Sequence, residues 1–386
     1  MRPIFENPYS NLRRRTCMLM VTHACNLNCT YCYETHKDKS MMSFDLAKSI
    51  IMKESELVQN DSRFDELEID FMGGEPLMNF DLIKKIIEWL EADPIPVPFI
   101  CFAITNGTLL DEERKAWFKK HRNLMWLGAS YDGSTELQRK NRGTEESAVD
   151  FSFFHAVWPE QGFKLTISKE SLPHLAAGIF ESQQKGYRLD VSLAQGIDWN
   201  DADAELYFEQ LRKLSKTYLD DSSLIPINLL TKGLLGLTNP SQHQKKFCGT
   251  GVHMITYDVD GRSYGCHMFS PVVLGQERAL ESSEVEWTCE TIAEDERCKE
   301  CCLKDYCPTC MGFNYYFRGD LSKRDFRWCK MILAESIASC EFQIKVLAAR
   351  RESLTEDEAQ HGQSALEAYP LLASFSIQEA MAPFKL

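Results

Sequence analysis

Short apolar runs alternate with longer amphipathic segments from residue 16 to about residue 220 of the chain. This alternation is typical of βα units, in which each strand of a parallel sheet is followed by a helix. The predicted strands are residues 17–22, 67–72, 99–104, 125–130, 164–168 and 189–194. The predicted helices are residues 44–58, 81–91, 111–121, 148–158, 172–185 and 202–218, with Ser43 and Ser171 as N-caps of the first and the fifth. Six units predict an α/β fold with an open or partial (β/α)6 barrel, because the closed barrel has eight.

Polar and glycine-rich motifs follow five of the predicted strands. They are the loop with Cys25, Cys29 and Cys32, then Gly73-Gly74-Glu75-Pro76, Thr105-Asn106-Gly107, Asp132-Gly133 and Gln195-Gly196. In barrel folds the loops at the carboxyl ends of the strands form the active site, so these motifs are expected to meet at one rim. Each motif alone is also an ordinary turn, but turns explain the whole set poorly. The pattern therefore predicts a functional site at that rim.

Cys25, Cys29 and Cys32 stand in a C-x3-C-x2-C spacing, which supplies three thiolates to a metal centre. Thiolates select zinc or iron–sulfur clusters, and a structural zinc site takes four protein ligands. Three thiolates on an iron–sulfur cluster leave one iron open to a small molecule. The loop, with Tyr31 beside its third cysteine, resembles that of the radical S-adenosylmethionine (SAM) enzymes, in which the open iron chelates the amino and carboxylate groups of SAM. The alternative is a zinc knuckle or a chance cluster.

The radical SAM resemblance implies that residues of the rim contact SAM. These residues are Tyr31, Gly73, Gly74, Glu75, Asn106, Ser130, Asp132 and Arg142. The two glycines would let the backbone approach SAM closely, Glu75 would accept from its ammonium group, and Arg142 would hold its carboxylate in a bidentate fork. Ser130 and Asp132 would bond ribose hydroxyls, although Asp132 before a glycine also suits a plain turn. Ser130 and Arg142 match SAM-contacting positions of the sulfatase-maturase branch.

A second set of cysteines begins after the βα rhythm has stopped. Residues 255–264 predict a β-hairpin with an Asp-Gly turn, which would bring Cys248 and Cys266 together. Seven cysteines follow in order: Cys248, Cys266, Cys298, Cys301, Cys307, Cys310 and Cys329. They resemble the SPASM extension of radical SAM peptide-modifying enzymes, which carries seven cysteines and two auxiliary [4Fe–4S] clusters. Among Cys298, Cys301, Cys307 and Cys310, the third spacing, between Cys307 and Cys310, is x2, whereas that family usually has x3 there.

The SPASM resemblance implies interleaved ligands. Auxiliary cluster I would take Cys248, Cys266 and Cys310, and auxiliary cluster II would take Cys298, Cys301, Cys307 and Cys329. Cluster II would be fully thiolate-ligated, as in a closed electron-transfer or structural centre. Cluster I lacks a fourth match, so either Cys289 or Cys302 fills the gap or the site is open to a substrate atom. The alternative for this half is a pair of zinc ribbons, because C-x2-C repeats also suit zinc.

These patterns divide the chain into a radical SAM barrel (residues 1–220), a linker (221–246), a SPASM domain (247–335), and a C-terminal helix and tail (336–386). The tail is predicted to be helical to about residue 357 and then to form a strand or lid segment. The net charge of −14 argues against a nucleic-acid surface and against stable binding to anionic membranes. Fifteen cysteines, with neither a secretory signal segment nor a long apolar span, indicate metal binding in the cytoplasm rather than disulfides.

The resemblance covers roughly residues 16–330 and implies an enzyme that cleaves SAM to methionine and a 5′-deoxyadenosyl radical. That radical would abstract hydrogen from a side chain of a ribosomally made peptide, giving a crosslink or a thioether. The alternative within the family is an anaerobic sulfatase maturase, which makes formylglycine with an Asp after the hairpin's second cysteine as base. Here that position is His267, the candidate catalytic residue. A different class, an iron–sulfur electron carrier or a zinc-stabilised interaction module, is the third interpretation.

The expected cofactors are SAM, one [4Fe–4S] cluster at the barrel and two auxiliary [4Fe–4S] clusters. The expected partners are a precursor peptide or protein substrate and a reducing protein such as flavodoxin or ferredoxin. Few residues precede the first predicted strand, so a leader-binding domain would have to be a separate protein or be unnecessary.

Overall fold

A computed structural model describes residues 13–238, 248–287, 295–304, 306–350, 352 and 354–373. The described residues form the strands β1 Arg14–Thr22, β2 Glu66–Gly73, β3 Phe99–Thr105, β4 Met125–Ala129, β5 Phe163–Ile167, β6 Leu189–Leu193, β7 Met254–Tyr257 and β8 Ser263–Tyr264. The first six confirm the predicted strands, with ends that differ by no more than three residues. The last two confirm the predicted hairpin, and Gly261 adopts a φ of +87° in its turn.

The helices are α1 Phe44–Asn60, α2 Phe80–Ala92, α3 Glu112–Lys120, α4 Thr135–Arg142, α5 Phe151–Val157, α6 Leu175–Gln184, α7 Asp201–Asp220, α8 Asn228–Thr231, α9 Leu235–Thr238, α10 Pro271–Leu274, α11 Gln276–Ser283, α12 Met311–Arg318, α13 Cys329–Arg350 and α14 Glu356–Ala373. The Ser43 side chain caps α1 by accepting from the Leu46 amide, as predicted. Ser171 does not cap α6, because a 3₁₀ turn intervenes and its hydroxyl accepts from the Ser168 amide instead.

Two sheets form the barrel, and their strands pair in parallel except for β7 with β8. The larger has the order β4-β3-β2-β1-β7-β8, and the smaller pairs β5 with β6. A single parallel bridge between Ser130 and Lys164 joins β4 to β5. The fold class is therefore a mixed α/β fold with a partial parallel barrel, as predicted. The hairpin was expected to belong to a separate domain, but β7 pairs in parallel with β1 and extends the barrel sheet.

The core lies between the larger sheet and its helices. Along β2, buried and half-buried positions alternate, because successive side chains point to opposite faces of a strand. Leu67, Ile69 and Phe71 are fully buried in one cluster with Ile51 of α1 and Ile83 of α2. This packing fixes the register of β2 and thereby the position of the motif that follows it.

The C-terminal part differs from its prediction in two ways. Helix α13 runs without a break through the predicted domain boundary at residues 335 and 336 and packs against α7, α8 and α14. The predicted strand is wrong within the described residues, which form the helix α14 to Ala373, and the alternative of a lid segment stays a prediction. Two short helices, α8 and α9, occupy part of the predicted linker, and residues 239–246 of that linker lie outside the described residues. Among the helices of the described chain, none is both long and apolar enough to cross a membrane.

Candidate active site

The loop after β1 brings three thiols to the carboxyl end of that strand. Cys25, Cys29 and Cys32 are partly exposed, and all three are free thiols. Burial raises the pKa values of Cys25 and Cys29, and the charges of the neighbouring loop thiols raise both further. The three sulfur atoms therefore share one electrostatic environment. A metal centre bound there would lower these pKa values, because thiols bind metals in their deprotonated form.

Two cations face these thiols. The Arg142 guanidinium acts on Cys29 and lowers its pKa, against the larger effect of burial. Lys37 acts on Cys25 and Cys32, and their charges raise the pKa of this ammonium group although burial opposes the rise. Nearby positive charge favours thiolates over thiols. The surroundings thus suit a negatively charged thiolate cluster.

Gly73 and Gly74 lie against the start of the cysteine loop. A Cβ atom on Gly73, whose φ is +154°, would lie 2.2 Å from the Thr22 carbonyl oxygen, and one on Gly74 would lie 2.5 Å from the Ala24 carbonyl oxygen. The Gly74 amide donates to Thr22 at 3.2 Å, and the Glu75 amide donates to Ala24 at 2.8 Å. The glycines therefore also allow two loops of the chain to approach each other. Their contact with SAM stays a prediction.

The buried Glu75 carboxylate joins the loops that follow β2 and β3. It accepts hydrogen bonds from the Thr105 hydroxyl at 2.6 Å, the Asn106 amide at 2.8 Å and the Leu77 amide at 3.1 Å. Burial raises the pKa of Glu75, while these hydrogen bonds act in the opposite direction. The three donors explain why a carboxyl group is buried here. The predicted bond from the SAM ammonium group to Glu75 stays a prediction.

Asn106 connects the same rim to the cysteine loop. Its Nδ2 donates to Asn26 Oδ1 at 2.9 Å, and Asn26 Nδ2 in turn donates to the Thr108 hydroxyl at 2.8 Å. The Ser130 amide donates to the Thr105 carbonyl oxygen at 2.9 Å, so Ser130 lies at the same rim. The predicted convergence of the motifs after β1, β2, β3 and β4 is therefore found in the structure.

Arg142, Asp132 and Tyr31 form a buried network beside Cys29. Arg142 Nε and Nη2 each donate to Asp132 Oδ1 at 3.1 Å, and the Tyr31 hydroxyl donates to the same oxygen at 2.9 Å. The guanidinium carbon lies 5.5 Å from the centre of the Tyr31 ring. Asp132 is thus the partner of Arg142 rather than a plain turn residue. The predicted contacts of Tyr31, Asp132 and Arg142 with SAM stay predictions.

Helix α4, which ends at Arg142, was missing from the sequence prediction. The Ser134 side chain caps it by accepting from the Leu137 amide, and Gly143 ends it with a φ of +68°. A serine N-cap and a glycine C-cap are sequence signals of a helix, and they identify this one in retrospect. The helix places the guanidinium of Arg142 at the rim.

Cys248, Cys266 and Cys310 form a second group of thiols at the base of the hairpin. Burial raises the pKa of Cys266, and the charges of Cys310 and Cys248 raise it further. Burial likewise raises the pKa of Cys310 to about 11, with a further contribution from Cys248. The hairpin therefore brings Cys248 and Cys266 together as predicted, and α12 brings Cys310 to them. Their role as ligands of auxiliary cluster I stays a prediction.

Cys298, Cys301, Cys307 and Cys329 form a third group that lines one cavity. Burial raises the pKa of Cys329, and the charges of the other three thiols raise it further. A hydrogen bond from Cys302 lowers the pKa of Cys301. Cys302 therefore lies with the third group, which argues against it as the missing ligand of the second. Cys289 lies outside the described residues.

In the described ranges no three His, Cys, Asp or Glu side chains are grouped as ligands of a single metal ion.

His267 lies between the first and second groups of thiols and contacts Tyr33, a residue that sequence reasoning missed. The Tyr33 hydroxyl is 3.1 Å from His267 Nε2, and Tyr33 directly follows Cys32. Burial lowers the pKa of His267 to about 4, so the imidazole is neutral near pH 7. Its buried Nδ1 has no hydrogen-bond partner among the described residues. A neutral imidazole has a lone pair for a proton, but the burial that lowers its pKa also weakens it as a base, and the catalytic role of His267 stays a prediction.

A buried pair links the cysteine loop to the hairpin. His23 Nε2 lies 2.6 Å from Asp258 Oδ1, and His23 Nδ1 lies 3.2 Å from Asp38. Burial lowers the pKa of His23, but the two carboxylates outweigh burial and the net shift is upward. The sequence signal for this link was a histidine two residues before Cys25, which the prediction did not use.

Comparison with known proteins identifies the N-terminal part of this architecture. Residues 19–150 match the Radical SAM superfamily. The chain contains a radical SAM domain. The family implies SAM and a [4Fe–4S] cluster as cofactors of this domain. The uncharacterized protein MJ0907 of Methanocaldococcus jannaschii is 42% identical over 136 residues, which are 34% of this chain and 44% of that protein.

A further relative of the radical SAM domain is the serine-type anaerobic sulfatase-maturating enzyme of Klebsiella aerogenes. It is 25% identical over 185 residues, which are 45% of each protein. The chain therefore spans less than half the length of both curated relatives.

The likeness in fold extends beyond the radical SAM domain. The structure of anSMEcpe with bound AdoMet superposes with a TM-score of 0.62 at 16% identity, over 91% of this chain and 98% of that chain. The structure of SuiB of Streptococcus suis bound to precursor peptide SuiA gives a TM-score of 0.55 at 14% identity, over 81% and 75% of the two chains. At these identities the likeness establishes the fold. The Cys-rich C-terminal region, which follows the radical SAM domain, is consistent with a SPASM extension.

Proposed function

We propose that this protein is a radical SAM enzyme that modifies a side chain of a ribosomally made peptide, forming a crosslink or a thioether. The observation that carries the proposal is the convergence of Cys25, Cys29 and Cys32 with the Arg142 network at one barrel rim. When bound to these thiols, a [4Fe–4S] cluster would supply the electron that cleaves SAM reductively. A peptide substrate is supported by the likeness in fold to SuiB, which was solved with its precursor peptide.

The rim residues would bind and orient SAM. Asp132 takes up Nε and Nη2 of Arg142, which leaves Nη1 available for the carboxylate of SAM. The Tyr31 hydroxyl also donates to the Asp132 carboxylate and so fixes the position of the Asp132 side chain beside the guanidinium. The Asp132–Arg142 pair is buried, so its hydrogen bonds would keep the guanidinium in one position before SAM binds. Preorganisation of this kind lowers the entropic penalty of binding.

The other two groups of thiols would hold the auxiliary clusters. Cys248, Cys266 and Cys310 would bind cluster I, and Cys298, Cys301, Cys307 and Cys329 would bind cluster II. His267 adjoins Cys266, and its neutral imidazole is held by the Tyr33 hydroxyl. In the proposal His267 takes a proton from the substrate while Tyr33 fixes the orientation of its ring.

A second candidate function is the oxidation of a Cys or Ser of a protein to formylglycine. It is favoured by the sequence relationship to the serine-type anaerobic sulfatase-maturating enzyme. His267 follows Cys266 at the position where the maturases have an aspartate. The replacement of that aspartate by histidine is why peptide crosslinking is preferred.

The experiment that tests the proposal uses reconstituted protein, reduced with dithionite and incubated with SAM and peptides that contain Cys, Ser and aromatic residues. We expect 5′-deoxyadenosine and a peptide that has lost hydrogen without gaining a carbonyl group. A peptide aldehyde that reacts with a hydrazide would favour formylglycine formation instead. If 5′-deoxyadenosine is not formed under any of these conditions, the protein is an electron carrier or an interaction module.

The proposed partners follow from the same reaction. A precursor peptide or protein would be the substrate, and a flavodoxin or ferredoxin would replace dithionite as the electron donor. A separate leader-binding protein is a further proposed partner, and its addition to the assay would raise the yield of modified peptide if the chain relies on one.

A further inference from the structure

The cavity of the third group of thiols is lined by two side chains, besides the four cysteines, to which the proposed function gives no role. Arg324 and Trp328 line this cavity together with Cys298, Cys301, Cys307 and Cys329. Arg324 is 8% exposed, so its guanidinium has almost no contact with water. A buried charge is costly unless a partner compensates it. The buried charge of Arg324 therefore requires a partner at this cavity.

Protein groups do not supply that partner within the described residues. Arg324 Nη1 is buried without a hydrogen-bond acceptor there, and the indole Nε1 of Trp328 is in the same condition. The backbone of Arg324 is fixed, because its amide donates to Asp295 at 3.1 Å and its carbonyl oxygen accepts from Arg318 at 3.3 Å. Two buried N–H groups without acceptors at one cavity indicate an acceptor that the described residues do not provide.

The charge of Arg324 already acts on the thiols of the cavity. It lowers the pKa values of Cys307 and Cys329, for which burial is the larger and opposite effect. Lys232 also acts on Cys307, but its ammonium group lies 3.8 Å from the carboxylate of Glu335. Lys304 also lines the cavity, but it is exposed to water, so Arg324 is the buried cation of the cavity, among the described residues, whose charge is left for a ligand.

We propose that Arg324 and Trp328 donate hydrogen bonds to the sulfur atoms of a cluster held by the third group, and that the Arg324 charge raises its reduction potential. The inference rests on the proposed assignment of auxiliary cluster II. One-electron reduction adds a negative charge to a cluster, so a neighbouring cation stabilises the reduced form. Net charge and hydrogen bonds to the sulfurs are two of the factors that set such potentials. Both residues are positioning residues and do not contact substrate.

The test is the reduction potential of the third cluster in reconstituted full-length protein, titrated with dithionite and mediators and followed by electron paramagnetic resonance. The signal is assigned by its loss in the Cys298→Ala/Cys301→Ala variant. Arg324→Gln is expected to lower the potential by about 59 mV, which is a tenfold change in the equilibrium constant of a one-electron couple. Trp328→Phe is expected to lower it less, and Arg324→Lys is expected to restore most of the wild-type value.

Lys323→Gln is the matched control. It removes a positive charge from the residue next to Arg324, where the exposed ammonium group lies 3.4 Å from the Asp320 carboxylate, and neither Lys323 nor Asp320 lines the cavity. An unchanged potential in Arg324→Gln with its iron intact, or an equal change in Lys323→Gln, would overturn the proposal. If Arg324→Gln loses its iron, an unchanged potential in Trp328→Phe with its iron intact would overturn it. Wild-type protein without iron at the third group would overturn the cluster assignment as well, which separates the two failures.

Discussion

The first and third groups of thiols differ in number and in electrostatic partner. The first has three partly exposed thiols on a loop, and its cation Arg142 is held by a buried carboxylate, Asp132. The third has four thiols around a cavity, and its cation Arg324 has no ion-pair partner within the described chain. A site with three thiolates leaves a coordination position for a small molecule, whereas four thiolates close it. In the proposed function, the first centre performs chemistry and the third transfers electrons.

The second group, between these two, contains the candidate base. If His267 removes a proton from the substrate, His267→Ala should reduce product formation by about 10²–10⁴-fold, the usual contribution of a positioned base. SAM cleavage, which belongs to the first group, should be retained. Product yield is measured by mass spectrometry and 5′-deoxyadenosine by chromatography.

Tyr33→Phe is the control for His267→Ala. It keeps the ring but removes the hydroxyl that lies 3.1 Å from His267 Nε2, so we expect a smaller loss. Full product yield in His267→Ala, with iron content unchanged, would show that the imidazole is not the base.

The buried pair at the first group is expected to make a large contribution to stability. Arg142→Met leaves the Asp132 carboxylate buried without its cation, which should decrease the free energy of unfolding by about 3–5 kcal/mol. Asp132→Leu combined with Arg142→Met removes both charges and should recover much of that loss. Urea denaturation of the reconstituted proteins measures both. If Arg142→Met is as stable as the wild type, the ion pair with Asp132 does not stabilise the protein. The contrast between the paired Arg142 and the unpaired Arg324 would then be lost.

A smaller effect is expected at the N-cap of α4, the helix that positions Arg142. Ser134→Ala should cost about 1 kcal/mol, because it removes the acceptor of the Leu137 amide. It should also weaken SAM binding in equilibrium dialysis. Ser43→Ala removes the cap of α1 and should cost a similar amount without changing SAM affinity. Equal SAM affinity in both variants would show that α4 does not position the SAM site.

The barrel was predictable because its strands and helices have clear apolar periods, and because the motifs follow the strands. The cysteine groups were predictable from spacing. The contacts that connect them were not, since β7 beside β1, His23 with Asp258, and Tyr33 with His267 join residues far apart in the chain. Helix α4 was missed because its sequence is short and polar, with Leu137 as its only apolar residue, and its caps are the signal that identifies it.

The central claim is that Cys25, Cys29 and Cys32 bind the cluster at which SAM is cleaved. It is tested most directly by the iron content and the 5′-deoxyadenosine yield of a variant with all three changed to Ala. We expect about twelve irons in the wild type, about eight in the variant, and a complete loss of 5′-deoxyadenosine, given about four irons for each of three clusters. Cys101→Ala, which changes a buried core cysteine on β3, should leave both values unchanged. Continued formation of 5′-deoxyadenosine by the triple variant, or zinc in place of iron in the wild type, would contradict the account.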